Sequence, residues 1–168
     1  MAEDQTAWRE RLAGVGARPA VGTWYRMVPR AYRDQAHSDE GSRFRGGRYN
    51  PPGKFGGLYL SDSAEACRAE LLRHADVLPD LSLGTFDVSL SHVLDLTDAA
   101  VRQRLGVSHE DLTQDNHSLT REIGEAAFDA GFEGILFPSA AGPHTNLVIF
   151  TRNRRPNSRL ALQNVRNV

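Results

Sequence analysis

The stretch from residue 41 to 57, GSRFRGGRYNPPGKFGG, constrains the fold of this chain more than any other feature of the sequence. It contains six glycines, three arginines and the only lysine of the chain, and it contains no acid. Glycine adopts backbone conformations that other residues avoid, and it weakens helices and strands. We therefore expect residues 30–56 to be rich in loops, with one strand over residues 44–49. A short buried strand over residues 57–61 should follow.

Positive charge is concentrated in two parts of the chain. The net charge of the 168 residues is −1, but residues 22–54 carry +4 and residues 151–168 carry +5, so the remainder carries about −10. Two basic regions on an acidic protein indicate a localised anion site rather than general binding to polyanions. The length and the 40% hydrophobic content are typical of one globular domain. We predict a single domain over residues 1–168, with a core at about 22–150 and a basic, partly ordered tail at 151–168.

Apolar periodicity and turn residues predict the remaining elements. The predicted helices span residues 4–12, 63–75, 97–105 and 118–130, and the other predicted strands span residues 22–28, 83–89, 92–96, 134–137 and 145–150. Gly106 and Gly131 should end the last two helices, and Arg18-Pro19 should break the chain after the first helix. Strands interspersed with helices, with hairpin spacing late in the chain, indicate an α+β fold.

The helix over residues 63–75 has a feature that bears on function. Asp62 and Glu65 fit a capping box at its start. Its apolar stripe consists of Ala64, Cys67, Leu71 and Ala75. Glu70 lies on the flank of this stripe, where its carboxylate is free to face a cleft.

Several common types of site are excluded by spacing. Gly47 and Gly53-Lys54 are one residue too far apart for a phosphate loop, and Phe55 stands where such a loop needs Ser or Thr. The chain has no G-x-G-x-x-G motif between a strand and a helix. The histidines lack metal-ligand spacing and Cys67 is a single cysteine, so we predict neither a metal site nor a disulfide. No serine has a G-x-S-x-G setting.

The sequence also predicts a location. The N-terminal residues are acidic and lack the apolar segment of a signal peptide, and no apolar run approaches membrane-spanning length. Cys67 fits a reducing compartment. We therefore expect a cytoplasmic protein that does not contact a membrane.

Six short motifs occur in an order that resembles the RES domain family. They are Tyr25-Arg26, Gly46-Gly47-Arg48-Tyr49-Asn50, Leu58-Tyr59-Leu60, Ala69-Glu70-Leu71, Phe137-Pro138-Ser139 and Asn146-Leu147-Val148. The resemblance covers roughly residues 22–150, and the Arg, Glu and Ser of the family's name match Arg26, Glu70 and Ser139. One motif departs from the family pattern. Members often have S-A-R-x-P-G-G where residues 139–145 of this chain read SAAGPHT. The difference affects the contacts of this loop and the choice of the acceptor of ADP-ribose.

The resemblance implies a fold and an activity. The fold would be like that of the diphtheria-toxin class of ADP-ribosyltransferases, with a split mixed β-sheet flanked by helices around an NAD cleft. The protein would be the toxin of a bacterial toxin–antitoxin pair that degrades NAD+, by hydrolysis or by phosphorolysis with inorganic phosphate. NAD+ would be the substrate, with no further cofactor. The partner would be a helix-turn-helix antitoxin, through which alone nucleic acid would be contacted.

The implied chemistry assigns roles to named residues. Arg26 and Arg48 would clamp phosphate and ribose, because guanidinium groups form bidentate bonds to phosphates. Tyr59 would stack on the cationic nicotinamide. Glu70, with Arg26 beside it, would be catalytic by stabilising the positive charge that develops on the ribose. The NAD-binding set is completed by two further residues, Asn50 and Ser139.

Composition alone leaves simpler alternatives open. The arginines of the 41–57 stretch could be solvated, Tyr59 could be a core residue, and Ser139 could cap a turn. Two other functions also stay open: a protein-directed mono-ADP-ribosyltransferase, and a non-catalytic module that binds nucleotides or nucleic acid through the basic regions.

Overall fold

The computed structural model describes residues 2–168, and these residues form a mixed sheet flanked by helices. The strands are Arg18–Pro29 (β1), Leu58–Ser61 (β2), Leu81–Asp95 (β3), Gly134–Pro138 (β4), Thr145–Ile149 (β5) and Arg159–Asn167 (β6). The helices are Ala2–Ala13 (α1), Glu40–Arg45 (α2), Ala64–His74 (α3), Ala99–Leu105 (α4), His109–Thr113 (α5) and Ser118–Asp129 (α6). Two short 3₁₀ helices, at Arg30–Gln35 and Thr151–Asn153, come directly after β1 and shortly after β5. The predicted α+β class is confirmed.

The pairings of five strands close into a ring. The strand order is β1-β2-β5-β4-β3-β6, and β1 also pairs with β3, so β6 lies outside the ring on β3. The β3–β4 pair is parallel, with Val93 opposite Gly134, and the other pairs are antiparallel. Apolar side chains of β1, β2, β3 and β5, such as Trp24, Leu60 and Phe86, are buried together. A larger core joins the sheet to α1, α4, α5 and α6.

Two strands, β1 and β3, are longer than the sequence predicted. The predicted strands at 83–89 and 92–96 are one strand, which pairs with β1 from Pro29↔Leu81 to Arg18↔Val93. The predicted chain break at Arg18-Pro19 is the start of β1. Its register shifts between Arg18 and Ala20, and a bulge tolerates a proline because no ladder donor is needed there.

The predicted partly ordered tail is also wrong for its second half. Residues Arg159–Asn167 form β6 and pair with β3 from Ser89 to Ser82. The Nη2 of Arg33 donates to the Val165 carbonyl at 3.1 Å, which fastens the far end of the strand. The arginine-rich composition misled the prediction, because an outer edge strand exposes one face and tolerates arginines there as well as a solvated tail does.

The predicted strand over residues 44–49 does not form. Its first part belongs to α2, which ends at Arg45 and is followed by Gly46. Gly46 has a φ of +78°, which favours glycine, and its N–H donates to the Ser42 carbonyl at 2.7 Å. The capping prediction for α3 is wrong as well. Ser63 caps α3 by accepting from the Ala66 N–H, whereas the Asp62 carboxylate accepts from the Thr145 N–H at 2.9 Å.

The two glycine helix ends are confirmed, and α5 was not predicted. Gly106 adopts the left-handed conformation after α4, with φ of +72°, and Gly131 has φ of +88° just beyond α6. The five-residue helix α5 begins with a capping box between Ser108 and Asp111. No helix of the described residues is long and apolar enough to cross a bilayer.

Candidate active site

A cavity of about 310 Å³ lies between α3, the strands β1, β2 and β5, and the segment after α2. Four of the six predicted site residues line it: Arg26, Arg48, Tyr59 and Glu70. Each comes from a different element or loop, so the fold brings together residues that are far apart in sequence. The other two, Asn50 and Ser139, are buried behind the wall and contact residues that line the cavity.

The carboxylate of Glu70 is held by one of its two oxygens. Its Oε1 accepts from the Ser139 hydroxyl at 2.5 Å and from the Asn146 Nδ2 at 2.9 Å. Within the described residues its Oε2 has no hydrogen-bond donor. Hydrogen bonds to a carboxylate favour its ionised form and fix its orientation. The arrangement therefore fixes the carboxylate through one oxygen and leaves the other without a partner in the protein.

Asn146 is a site residue that the sequence analysis missed. It is buried on β5, opposite Ser61 of β2 and Phe137 of β4, and all three residues line the cavity. Its Nδ2 faces Glu70, and its Oδ1 is buried without a hydrogen-bond partner among the described residues. An unpartnered buried carbonyl costs free energy, on the order of 1–3 kcal/mol. The bond to Glu70 therefore dominates the orientation of this amide. The sequence feature that could have identified Asn146 is a polar residue within the otherwise apolar strand TNLVI.

Arg26 fastens a loop to the cavity wall. Its Nη1 donates to the carbonyls of Ala36 and Ser38 at 2.8 and 2.7 Å, and more weakly to Gln35 at 3.4 Å. Burial lowers the pKa of Arg26, and the nearby Asp39 opposes that shift. An arginine stays protonated at neutral pH in any case. Its Nη2 and Nε have no acceptor among the described residues, so they are free for a ligand.

Arg48, like Arg26, bonds backbone carbonyls through one guanidinium nitrogen. Its Nη1 donates to the carbonyls of Leu112 and Gln114, at 3.2 and 2.7 Å, which connects it to the end of α5. Burial is the largest cause of the lowered pKa of Arg48. The solvated-loop alternative therefore does not describe this residue, because one end of its guanidinium is bonded to backbone carbonyls and the group lines the cavity.

Tyr59 presents its ring to the cavity while its hydroxyl is used inside the protein. The hydroxyl donates to Asn50 Oδ1 at 2.7 Å and accepts from the Tyr49 N–H at 2.9 Å. Burial raises the pKa of Tyr59 well above its usual value, so the phenol stays neutral. Gly47 is required beside it, because a Cβ at Gly47 would lie 2.5 Å from the Tyr59 oxygen.

Asn50 supports Tyr59 rather than the cavity itself. Its Nδ2 donates to the carbonyls of Ser42 and Phe55, at 2.9 and 3.0 Å, and its Oδ1 accepts from Tyr59. These bonds use both ends of the amide, and the side chain is fully buried. The geometry gives Asn50 a role in positioning Tyr59.

The buried thiol of Cys67 also lines the cavity, next to the helix face that carries Glu70. Burial raises the pKa of Cys67 to about 11. A thiol is a poor nucleophile until it loses its proton. Cys67 is therefore part of the apolar wall, packed with Met27 and Leu83.

The chain is similar in sequence and in fold to known proteins. The family model of the RES domain matches residues 23–166. The NAD(+) phosphorylases MbcT of Mycobacterium tuberculosis and of Mycobacterium bovis are 36% identical over 143 residues, which are 80% of this chain and 76% of each relative. The crystal structure of the M. tuberculosis MbcT–MbcA toxin–antitoxin complex contains a chain that superposes with a TM-score of 0.81. The two chains are 31% identical in sequence, and the match covers 96% of the chain described here and 92% of the chain in the complex.

Proposed function

Because the chain belongs to the RES domain family, we propose that it is the toxin of a toxin–antitoxin pair and cleaves NAD+ by phosphorolysis. The nicotinamide–ribose bond would break, and inorganic phosphate would receive the ADP-ribose. Similarity to the MbcT phosphorylases supports phosphate as the acceptor in preference to water or a protein. The sequence alone had left these three acceptors open.

The observation that carries the proposal is the asymmetric binding of Glu70. Its Oε1 is bonded by Ser139 and Asn146, while its Oε2 is free at a cavity that Arg26, Arg48 and Tyr59 also line. Cleavage of a glycosidic bond passes through an oxocarbenium-like state, which a preorganised carboxylate stabilises. The site thus combines a fixed negative charge with cationic groups for a pyrophosphate.

The reaction itself needs little proton transfer. The bond between the ribose carbon and the nicotinamide nitrogen breaks, and its electron pair neutralises the charge on the nicotinamide ring. An oxygen of hydrogen phosphate then donates a pair to the same carbon and forms the new C–O bond. Nicotinamide and the 1-phosphate of ADP-ribose are the products.

The residues of the cavity have distinct tasks in this reaction. Glu70 stabilises the developing positive charge through Oε2. Tyr59 offers its ring to the nicotinamide, while its hydroxyl is bonded to Asn50 and Tyr49 inside the protein. Arg26 uses Nη2 and Nε on the dinucleotide, since its Nη1 is bonded to the loop at residues 35–38. Ser139 and Asn146 hold Glu70, and Asn50 holds Tyr59.

We further propose that the closed ring of five strands is a variant of the ADP-ribosyltransferase fold. The cleft lies beside the strands, as the resemblance implies, with α3 along one side. NAD+ is a substrate in this proposal, and no further cofactor is needed. The antitoxin, a helix-turn-helix protein, would bind the toxin and restrain it in the cytoplasm.

The proposal is tested by product analysis. The purified protein is incubated with NAD+ in a phosphate-free buffer and again with added inorganic phosphate, and the products are separated by mass. We expect nicotinamide release to depend on phosphate and ADP-ribose 1-phosphate to accumulate in equal amount. Free ADP-ribose in both buffers would indicate hydrolysis, and labelling of an added protein extract alone would indicate a transferase.

A cellular experiment tests the toxin assignment. Expression without an antitoxin should stop growth and lower the cellular NAD+ concentration, whereas the Glu70→Gln variant at the same soluble level should do neither. Normal growth with unchanged NAD+ at good soluble expression of the unaltered protein would contradict the assignment.

A further inference from the structure

Two histidines that the proposed mechanism does not use face the same cavity. His74 ends α3 and His117 precedes α6, and both line the cavity together with Arg48. Among the described residues that line it, the one acid is Glu70. This wall of the cavity, formed by Arg48, His74 and His117, is called the cationic wall below.

The donors of the cationic wall lack acceptors in the protein. Arg48 bonds the protein through Nη1, and its Nη2 and Nε have no acceptor among the described residues. The imidazoles of His74 and His117 likewise make no hydrogen bond within the part of the chain that the structure describes. Free donors on residues that line one cavity can bind an anion with several acceptor oxygens.

The electrostatics of the cationic wall favour an added anion. Burial lowers the pKa of His117, and the positive charges of Arg48 and Arg121 and the nearby His74 lower it further. The one acid that opposes this shift, Asp115, is bonded to Arg73 at 2.7 Å. Burial and the neighbouring positive charges thus disfavour the protonated form of His117, and a bound anion would favour that form.

The position of the cationic wall relative to Glu70 suggests which anion it binds. His74 lies four residues after Glu70 on α3, so the two side chains share one face of the helix, one turn apart. A nucleophile that attacks the ribose carbon must bind within a few ångströms of the group that stabilises that carbon. The cationic wall lies in the same cavity as Glu70, with His74 one helical turn away.

We propose that Arg48, His74 and His117 form the binding site for the inorganic phosphate that attacks the ribose. This inference rests on the proposed phosphorolysis and adds a site for its second substrate. The pyrophosphate of NAD+ has the same chemistry, and the two sources of phosphate are separated by the experiment.

The experiment compares the variants His74→Gln, His117→Gln and their double with the unaltered protein. His109→Gln is the matched control, because His109 is exposed on α5 and does not line the cavity. The KM for phosphate and the KM for NAD+ are measured separately, with the other substrate saturating, along with kcat and the melting temperature. We expect each single variant to raise the phosphate KM by roughly tenfold, the effect of losing one charge-assisted hydrogen bond. The KM for NAD+ should change by less than about threefold, and kcat at saturating phosphate should be largely retained.

Two outcomes would overturn the inference while leaving phosphorolysis intact. If the NAD+ KM rises and the phosphate KM does not, the cationic wall binds the pyrophosphate of the dinucleotide. If neither changes and the melting temperatures agree, the histidines bind no anion.

A different result would contradict the proposed function itself: nicotinamide release that does not depend on phosphate in the unaltered protein. In that case the phosphate site can still be tested by titrating the protein with inorganic phosphate in the absence of NAD+ and measuring the heat of binding by calorimetry. We expect heat of binding with the unaltered protein and with His109→Gln, and its loss in the double variant. Equal binding by all three proteins would overturn the site.

Discussion

At the residue scale, the two oxygens of Glu70 have different surroundings, and this difference makes the site testable. Glu70→Gln keeps the shape of the side chain and removes its charge. We expect turnover of NAD+ to fall by roughly 10² or more, the scale of losing one preorganised electrostatic contact. The melting temperature and the affinity for NAD+ should be nearly unchanged.

The matched control is Glu65→Gln, since Glu65 is an exposed carboxylate in the first turn of the same helix. It should turn over NAD+ like the unaltered protein. Turnover of Glu70→Gln within a fewfold of that rate would remove Glu70 from the mechanism, and a collapsed melting temperature would identify it as a structural carboxylate.

Asn146 allows a second prediction at this scale. Asn146→Asp replaces the amide donor at 2.9 Å from Glu70 Oε1 by a second carboxylate. Two adjacent carboxylates resist simultaneous ionisation and share a proton. We expect the acid limb of the kcat profile to move to higher pH, with activity partly recovered in alkaline buffer.

The control for this variant is Asn164→Asp, an exposed change of the same kind on β6. Its pH profile should match that of the unaltered protein. If Asn146→Asp lowers activity equally at every pH, Asn146 has a purely structural role.

At the scale of elements, α6 holds the segment that carries Arg48. The Thr120 hydroxyl donates to the Arg48 carbonyl at 2.6 Å, and the Arg121 Nε donates to the Gly47 carbonyl at 2.9 Å. One turn further along α6, Gly124 has no side chain, which lets the helix approach the backbone of Tyr49. A Cβ at Gly124 would lie 1.6 Å from the Tyr49 carbonyl oxygen.

Gly124→Ala should therefore destabilise the protein, although alanine is favoured over glycine in helices by about 1 kcal/mol. Overpacking against backbone typically costs about 1–3 kcal/mol, and here the segment at residues 47–50 would have to shift. Urea unfolding and NAD+ turnover should both show a loss. The control is Gly16→Ala, where an added Cβ meets no atom within 4 Å. Equal stability of Gly124→Ala and the unaltered protein would show that α6 does not hold this segment closely.

At the scale of the whole molecule, β6 completes the sheet. It covers β3 on the side away from β1, next to the buried Phe86 and Val88. A chain that ends after residue 156 would lose this strand but keep the Arg155 N–H that donates to the buried Glu133 at 3.1 Å. We expect its melting temperature to fall by about 10 °C or more, because several kcal/mol of pairing and burial are lost.

The control for the truncation is Arg159→Ala, which removes an exposed ion pair with Asp87 and leaves the strand in place. Exposed ion pairs contribute about 0–1 kcal/mol, so this variant should melt close to the unaltered protein. A truncated chain with an unchanged melting temperature would mean that the last residues are dispensable, as the sequence had suggested.

The sequence by itself indicated four of the side chains that line the cavity and the helix that carries Glu70. Arg26, Arg48, Tyr59 and Glu70 stand in short motifs whose order identifies the family, and the amphipathic stripe of α3 places Glu70 on its flank. Gly106 and Gly131 end their helices through local backbone conformation. Such features depend on neighbours within a few residues, so they can be read from the chain.

Only the tertiary structure decided how these groups are held. Ser139 and Asn146 reach Glu70 across 69 and 76 residues of sequence, and Arg48 bonds carbonyls at Leu112 and Gln114, near an unpredicted helix. Likewise, β6 is a strand because β3 offers it an edge, whereas its composition resembles a solvated tail. Pairings between distant segments depend on the fold as a whole, because no local pattern specifies which edge or carbonyl will be adjacent.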